Sequence, residues 1–122
     1  MNDTVYKIAI AGFLHDIGKF AERAGMEISE EYVANNAPLY QPSFQSRYTH
    51  RHALYTAAFI EKFDAALPKM FNKAGWGLGD SFINLAAMHH KPETPLQWVI
   101  AIADRVSSGF DRQSFEDYNK EV

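Results

Sequence analysis

The chain has 122 residues, 47% hydrophobic and 22% charged, with a formal net charge of -3 and no cysteine. It can bury one core as a single domain, and it carries neither an apolar run near the ~20 residues of a membrane span nor a basic-then-apolar leader. The acidic balance argues against a dedicated duplex-binding module, though not against a hydrolase of nucleic acid, because a metal brings its own positive charge. Without thiolates any metal falls to His, Asp or Glu, and no disulfide is available, which suits a cytoplasmic location.

In chain order the pattern is helical, with no repeat, low-complexity segment or sustained strand alternation. Asn2 or Asp3 can cap a first helix from about Thr4 to Ala24, and Gly25 suits its stop. Ser29 is placed to cap a short helix between Ile28 and Ala37. The stretch APLYQPSFQSRYT, with Pro38 and Pro42, predicts an irregular loop. Thr49 opens a second long helix, THRHALYTAAFIEKFDAAL, ended or kinked at Pro68. GWGLG (Gly75 to Gly79) reads as a turn, Asp80 caps a helix through about His90, and KPETP breaks it. Thr94 and Gln97 have capping-box spacing with Pro95 at the first helical position, and LQWVIAIADRVSSG follows as the most hydrophobic helix. The expected fold is all-α, a bundle of about five to six helices.

The five histidines fall in three clusters: His15 beside Asp16, His50 and His52, and His89 beside His90. A lone histidine in a helix is more often a satisfied core or surface residue than a ligand, and a lone His-Asp pair is weak. The absence of any stray histidine, together with Asp104 inside the apolar run VIAIADRV, raises the odds. An unpaired buried carboxylate is costly, and a shared metal would stabilise its ionised form. At ~100° per residue, His15 and Asp16 can both reach one point at a helix edge. His50 and His52, two apart, point to nearly opposite faces, so at most one is expected to ligate; His52 lies on one stripe with Tyr55, Thr56 and Phe59. His89 continues the Phe82–Leu85–Ala86 stripe with His90 one step round, and Asp104 shares a face with Gln97, Ile100 and Ala101. Imidazole with carboxylate favours Mn, Co or Ni, with Mg, Fe or Zn also compatible, as one ion or two.

The order H-D, H, H-H, A-D resembles the HD superfamily of metal-dependent phosphohydrolases. FLHDIGKFAERAG, THRHALYTAAFIEKF, AAMHHKPE and IAIADRVSSGFDR resemble in particular the N-terminal HD domain of the large signature subunit of type III CRISPR effector complexes, across nearly all of the chain. The resemblance implies a divalent-metal nuclease that cuts single-stranded DNA within an effector holding guide RNA and target RNA. Residues 1–122 would then be one HD-type domain from the N-terminus of a longer protein whose palm-type domains follow. It carries over metal ligation to His15, Asp16, His52, His89 and Asp104, with His90 as a neighbour for a second metal or a phosphate. Many HD hydrolases place a further histidine upstream of the pair; none of the fourteen residues before His15 is one.

Asp16 is the expected bridge between metals or holder of the attacking water, and Lys19, one turn on, a catalytic contact to a substrate phosphate as readily as a solvated lysine. Arg105 and Lys91 are read as surface charges near the mouth, and Arg112 as a partner of Asp111. Phe59, Phe63, Phe82 and Trp98 have core spacing, whereas Tyr40, Phe44 and Tyr48 are the better candidates for exposed stacking on bases. Ser107 and Ser108 lack a histidine relay and read as helix-end hydrogen bonders. Two other functions fit the pattern: an HD phosphohydrolase of small or cyclic nucleotides, and a catalytically silent docking module.

Overall fold

Six α-helices account for most of the residues placed by the computed structural model, which describes residues 3–68 and 80–120, with side chains over 4–68 and 80–109. They are α1 (Asp3–Leu14), α2 (Ile17–Arg23), α3 (Glu30–Tyr40), α4 (Arg51–Lys62), α5 (Phe82–Ala87) and α6 (Pro95–Lys120). The expectation of an all-α chain holds. One small hairpin interrupts it, β1 (Ser43–Phe44) paired antiparallel with β2 (Arg47–Tyr48). Its two-residue turn places Gln45 and Ser46 at φ 51 and 64, the left-handed pair a tight hairpin turn requires. This pairing is too short to leave an alternating pattern, so the segment reads as loop from sequence.

The first long helix is broken where one continuous helix was expected. Asp16 leaves the helical region at φ -105, ψ 10 and becomes the N-cap of α2. The cause lies across the core on α4. The Thr56 hydroxyl accepts the Gly18 N–H at 2.9 Å and donates to the His15 carbonyl at 3.1 Å. In an unbroken helix those two groups would bond to Leu14 and Lys19. One fully buried hydroxyl therefore replaces both partners lost at the break. The backbones meet closely enough that a Cβ on Gly18 would lie 1.9 Å from the His52 carbonyl oxygen.

Gly25, at φ +81, follows the α2 C-cap as expected, and Ser29 caps α3 by accepting the Tyr32 N–H. α3 runs on through Pro38 to Tyr40, since a proline near the helix end costs only one late hydrogen bond. α4 begins at Arg51 rather than Thr49, because His50 takes the left-handed conformation, and it gives way to a 3₁₀ turn at Asp64–Ala66 before Pro68 is reached. α5 is capped by Ser81, not Asp80. Asp80 is buried and accepts from the Thr94 hydroxyl at 2.8 Å and the Gln97 amide at 3.0 Å, tying the chain before α5 to the start of α6. Thr94 does cap α6, accepting the Gln97 N–H. α6 continues to Lys120 instead of ending at Gly109, which leaves Ser107 and Ser108 inside a helix rather than at its end. The GWGLG turn, Asn2, and the Asp111 and Arg112 side chains lie outside the described residues.

α5 packs against α1, α4 and α6. Phe82, Leu85 and Ala86 meet Ala11, Ile60 and Ile100 in one apolar cluster; Ala87 and Met88 meet Tyr40, Ala53, Leu54 and Ala57 in a second. Phe82 and Phe59 are core or core-flanking as expected, but Phe63 and Trp98 are 43% and 42% exposed. Tyr40 is buried and donates to Asn84 Oδ1, while Phe44 and Tyr48 are exposed.

Gly18→Ala should destabilise the chain by about 3 kcal/mol, the upper end for overpacking. Thr56→Val, which leaves a carbonyl and an N–H unpaired, should cost about 1–3 kcal/mol. Chemical denaturation of both variants measures this; a wild-type midpoint for Gly18→Ala would contradict the backbone contact.

Candidate metal centre

The break between α1 and α2 turns the His15–Asp16 pair toward the α4 N-terminus and the turn after α5. His15 folds back so that its Nδ1 meets the Gly12 carbonyl. A carbonyl only accepts, so Nδ1 donates to it and Nε2 is the ring nitrogen turned toward the carboxylates. That Nε2 lies 3.0 Å from Asp104 Oδ1 and 3.4 Å from Asp16 Oδ2. Carboxylate oxygens only accept, so this contact requires a proton or a cation between Nε2 and Asp104.

His89 repeats the arrangement more deeply. α5 ends at Ala87, so His89 arrives from the turn rather than from the helix stripe expected for it. Its Nδ1 donates to the Ala86 carbonyl at 3.2 Å. Its Nε2 is buried, has no hydrogen-bond partner, and lies 3.7 Å from Asp16 Oδ1, too far for a hydrogen bond. A carbonyl fixing one ring nitrogen while the other is left bare is the usual support of a metal-binding histidine. This orphaned nitrogen, on a side chain with no solvent exposure, is the observation that fits the residues to a metal.

Asp16 sits at the centre. Its Oδ1 faces His52 Nε2 at 3.8 Å and His89; its Oδ2 faces His15 and the Lys19 ammonium at 3.3 Å. His89 above all, then His15 and Lys19, hold its carboxyl well below the usual carboxylate range against the opposing effect of burial. Burial first, then Lys19, pushes His52 down to about 4. Burial, with His89, His50 and His52 around it, pushes His90 down to about 3. Both rings are thus neutral near pH 7, the state in which imidazole ligates. The Nε2 atoms of His52 and His90 approach to 2.9 Å. Two triads have the spacing of a metal site, His15–Asp16–His89 and His52–His89–His90, and Asp104 adjoins the first through His15. Imidazole with carboxylate suits a divalent transition metal.

All six expected ligands converge, and Lys19 joins them. Two residues were missed. His50 was set aside because helix geometry turns it away from His52, but it is not helical. At φ 57 its ring swings to stack on His90, centroids 4.0 Å apart. The Thr49 hydroxyl donates to the Pro42 carbonyl, so it accepts from His50 Nδ1 at 2.9 Å, which leaves His50 Nε2 as an acceptor. Thr56 was noted only as a stripe neighbour, though its hydroxyl sets the break. Of the surface cations, Arg105 lines the cleft with Lys19, His50 and His90 and lies over the Trp98 ring at 5.5 Å. Lys91 instead donates to the Pro38 carbonyl.

The pH dependence of the metal-free chain follows. Unfolded, His52 and His90 take up protons near pH 6.5; folded, they resist until about 4 and 3. Their contribution is therefore whole above about 6.5 and is lost as pH falls through that window. Asp16, with its lowered value, weakens the fold only below about pH 4. Melting temperatures should drop from pH 6.5 to 4, less steeply in His52→Asn/His90→Asn; identical slopes would refute the assignment. At neutral pH, saturation with Mn or Zn at ~100 times Kd should stabilise the wild type by about 2.7 kcal/mol, and His89→Gln should remove most of that gain.

Neither the curated proteins nor the solved structures contain a match to this chain. The HD domain family matches residues 2–109, a span holding both triads, Asp104 and Lys19. The chain belongs to the HD domain family, whose metal-dependent phosphohydrolase chemistry this cluster is built to support.

Proposed function

We propose that this domain is a divalent-metal-dependent phosphodiesterase that cuts single-stranded DNA, and that it works as the nuclease domain of a type III CRISPR effector. In that setting its partners are the palm-type domains of the same large subunit and the effector subunits carrying guide and target RNA, in the cytoplasm. Among the described residues no helix is long and apolar enough to cross a membrane. The reading rests above all on the orphaned His89 Nε2 facing Asp16, which gives the motif order of the sequence a site with metal geometry. The DNA substrate and the effector context rest on the likeness of FLHDIGKF and IADRVSSGFDR to that family.

A divalent ion held by these residues would lower the pKa of a bound water and offset charge on the phosphate. The chain's own groups supply the rest. Asp16, ionised and central, has an oxygen toward each triad and can orient the attacking water by accepting its proton in a hydrogen bond. Lys19, 47% exposed on the cleft side of Asp16, is free to exchange part of that ion pair for a phosphate oxygen. Arg105 sits on the same wall. Phe44 and Tyr48, exposed on the hairpin just before His50, offer rings to unpaired bases.

The test is cleavage of an end-labelled single-stranded oligonucleotide with Mn, Co, Ni, Mg or chelator, beside a His15→Ala/Asp16→Ala variant. Metal-dependent cutting that the variant lacks is expected; metal bound stoichiometrically without cutting of single-stranded DNA would refute the proposed substrate for this domain. Lys19→Ala should bind metal normally yet lose about 10- to 100-fold in kcat/KM, the worth of one charge-assisted contact.

A further inference from the structure

Two cavities of opposite character meet at the metal centre. One is the cleft of about 290 Å³ already described, walled by Lys19, Arg105 and the histidines. The other is a groove of about 450 Å³ between α1 and α6. Asp16, Asp104 and Ser108 line both, so they form the ridge where the two join. Away from His15 and the two aspartates its walls are apolar, with Ile8 and Ala9 on one side and Val99, Ile100 and Ala103 on the other, Gly12 at the metal end, and the Ser107 and Ser108 hydroxyls along α6. Its walls are kept apart by small side chains. A Cβ added at Gly12 would meet nothing within 4 Å, so the space above that turn is open.

An apolar groove on a surface is ordinarily a packing face. This one differs in where it ends. Val99 is 48% exposed, and the groove runs into two carboxylates and a histidine that the site needs for its metal. Any occupant must therefore tolerate a divalent ion and a phosphate at one end and dry carbon along the rest. A nucleotide has that division: a charged phosphate, and a flat base whose weakly solvated faces pack against aliphatic walls. The volume falls in the range of small-ligand pockets, which are apolar with a few converging polar groups.

On the reading of the site as a phosphodiesterase, we propose that the α1–α6 groove is a base subsite. It takes one nucleobase adjoining the scissile phosphate, while the backbone runs along the cationic cleft. With only the Ser107 and Ser108 hydroxyls as uncharged polar side chains on its wall, it grips a base by its faces and edges without reading its identity. The energy of holding the base positions the phosphate, as binding remote from a reacting centre does.

Two esters with the same leaving group isolate this contact: thymidine 5′-(4-nitrophenyl phosphate) and methyl 4-nitrophenyl phosphate. In each, water adds to phosphorus, the bond to the aryl oxygen breaks, and 4-nitrophenolate departs. With Mn, the wild-type chain should show at least tenfold higher kcat/KM on the thymidine ester, and Ala9→Leu, which narrows the groove away from the ligands, should erase most of that ratio. A ratio near one, or one that Ala9→Leu leaves intact, would overturn the subsite even with hydrolysis running normally. If the wild type hydrolyses neither ester, the phosphodiesterase reading fails by itself, and amide NMR decides the groove. Thymidine 5′-monophosphate with Mg should shift the Ala9, Gly12 and Ala103 signals; unmoved signals would overturn the subsite.

Discussion

The contact on which the site depends is the crossing of α2 over α4 at Gly18 and Thr56. A glycine lets the two backbones touch, and a buried hydroxyl takes over the hydrogen bonds that an unbroken helix would have made at His15 and Gly18. Without that exchange, α1 would run on through Asp16 and its side chain would stay at a helix edge. With it, the chain turns at the pair, and Asp16 moves to the point that His15, His52 and His89 all face. The metal centre is thus a consequence of how one backbone break is satisfied.

Around that point the chain has arranged ligands rather than salt bridges. His15 and His89 each give one ring nitrogen to a carbonyl in the turn before them; His52 and His90 are kept neutral first by burial, then by Lys19 for His52 and by the neighbouring histidines for His90. The His52–His90 contact needs one ring to donate to the other, His15 Nε2 faces Asp104, and His89 Nε2 is left without a partner beside the ionised Asp16. Packing alone gives no reason to bury such a set. A divalent cation makes the same geometry favourable, so the stability of this region and its chemistry depend on the same ion.

Much of this was legible in the sequence, and the failures have a common cause. The candidate cluster was readable because polar, metal-competent residues are expensive on apolar faces; the three histidine clusters and Asp104 could be weighed without coordinates, and the resemblance carried ligation over to five of them. The caps at Ser29 and Thr94 and the stop at Gly25 were readable because their signals are local. What went unread were exceptions to helix periodicity imposed from a distance. FLHDIGKF looks continuous because the residue that breaks it, Thr56, lies 38 positions beyond Gly18. His50 looked misdirected because the wheel assumes a helical residue, and nothing local marks a histidine at φ 57. Asp80 looked like a cap because its true partners, Thr94 and Gln97, come from the next helix.

Charge balance links the centre to its two approaches. Asp16 and Asp104 bring two carboxylates to one side of His15, and one divalent ion matches that charge. The Lys19 ammonium leans on Asp16 Oδ2 at 3.3 Å and offsets part of that charge. On the proposed phosphodiesterase reading, an ion held by Asp16 would leave Lys19 and Arg105 as the cations of the cleft wall available to a phosphate. The groove on the far side of the same two aspartates has no lysine or arginine on its wall. On the proposed reading the ridge would sort a ligand by its chemistry, with phosphate on the side of Lys19 and uncharged surface between α1 and α6.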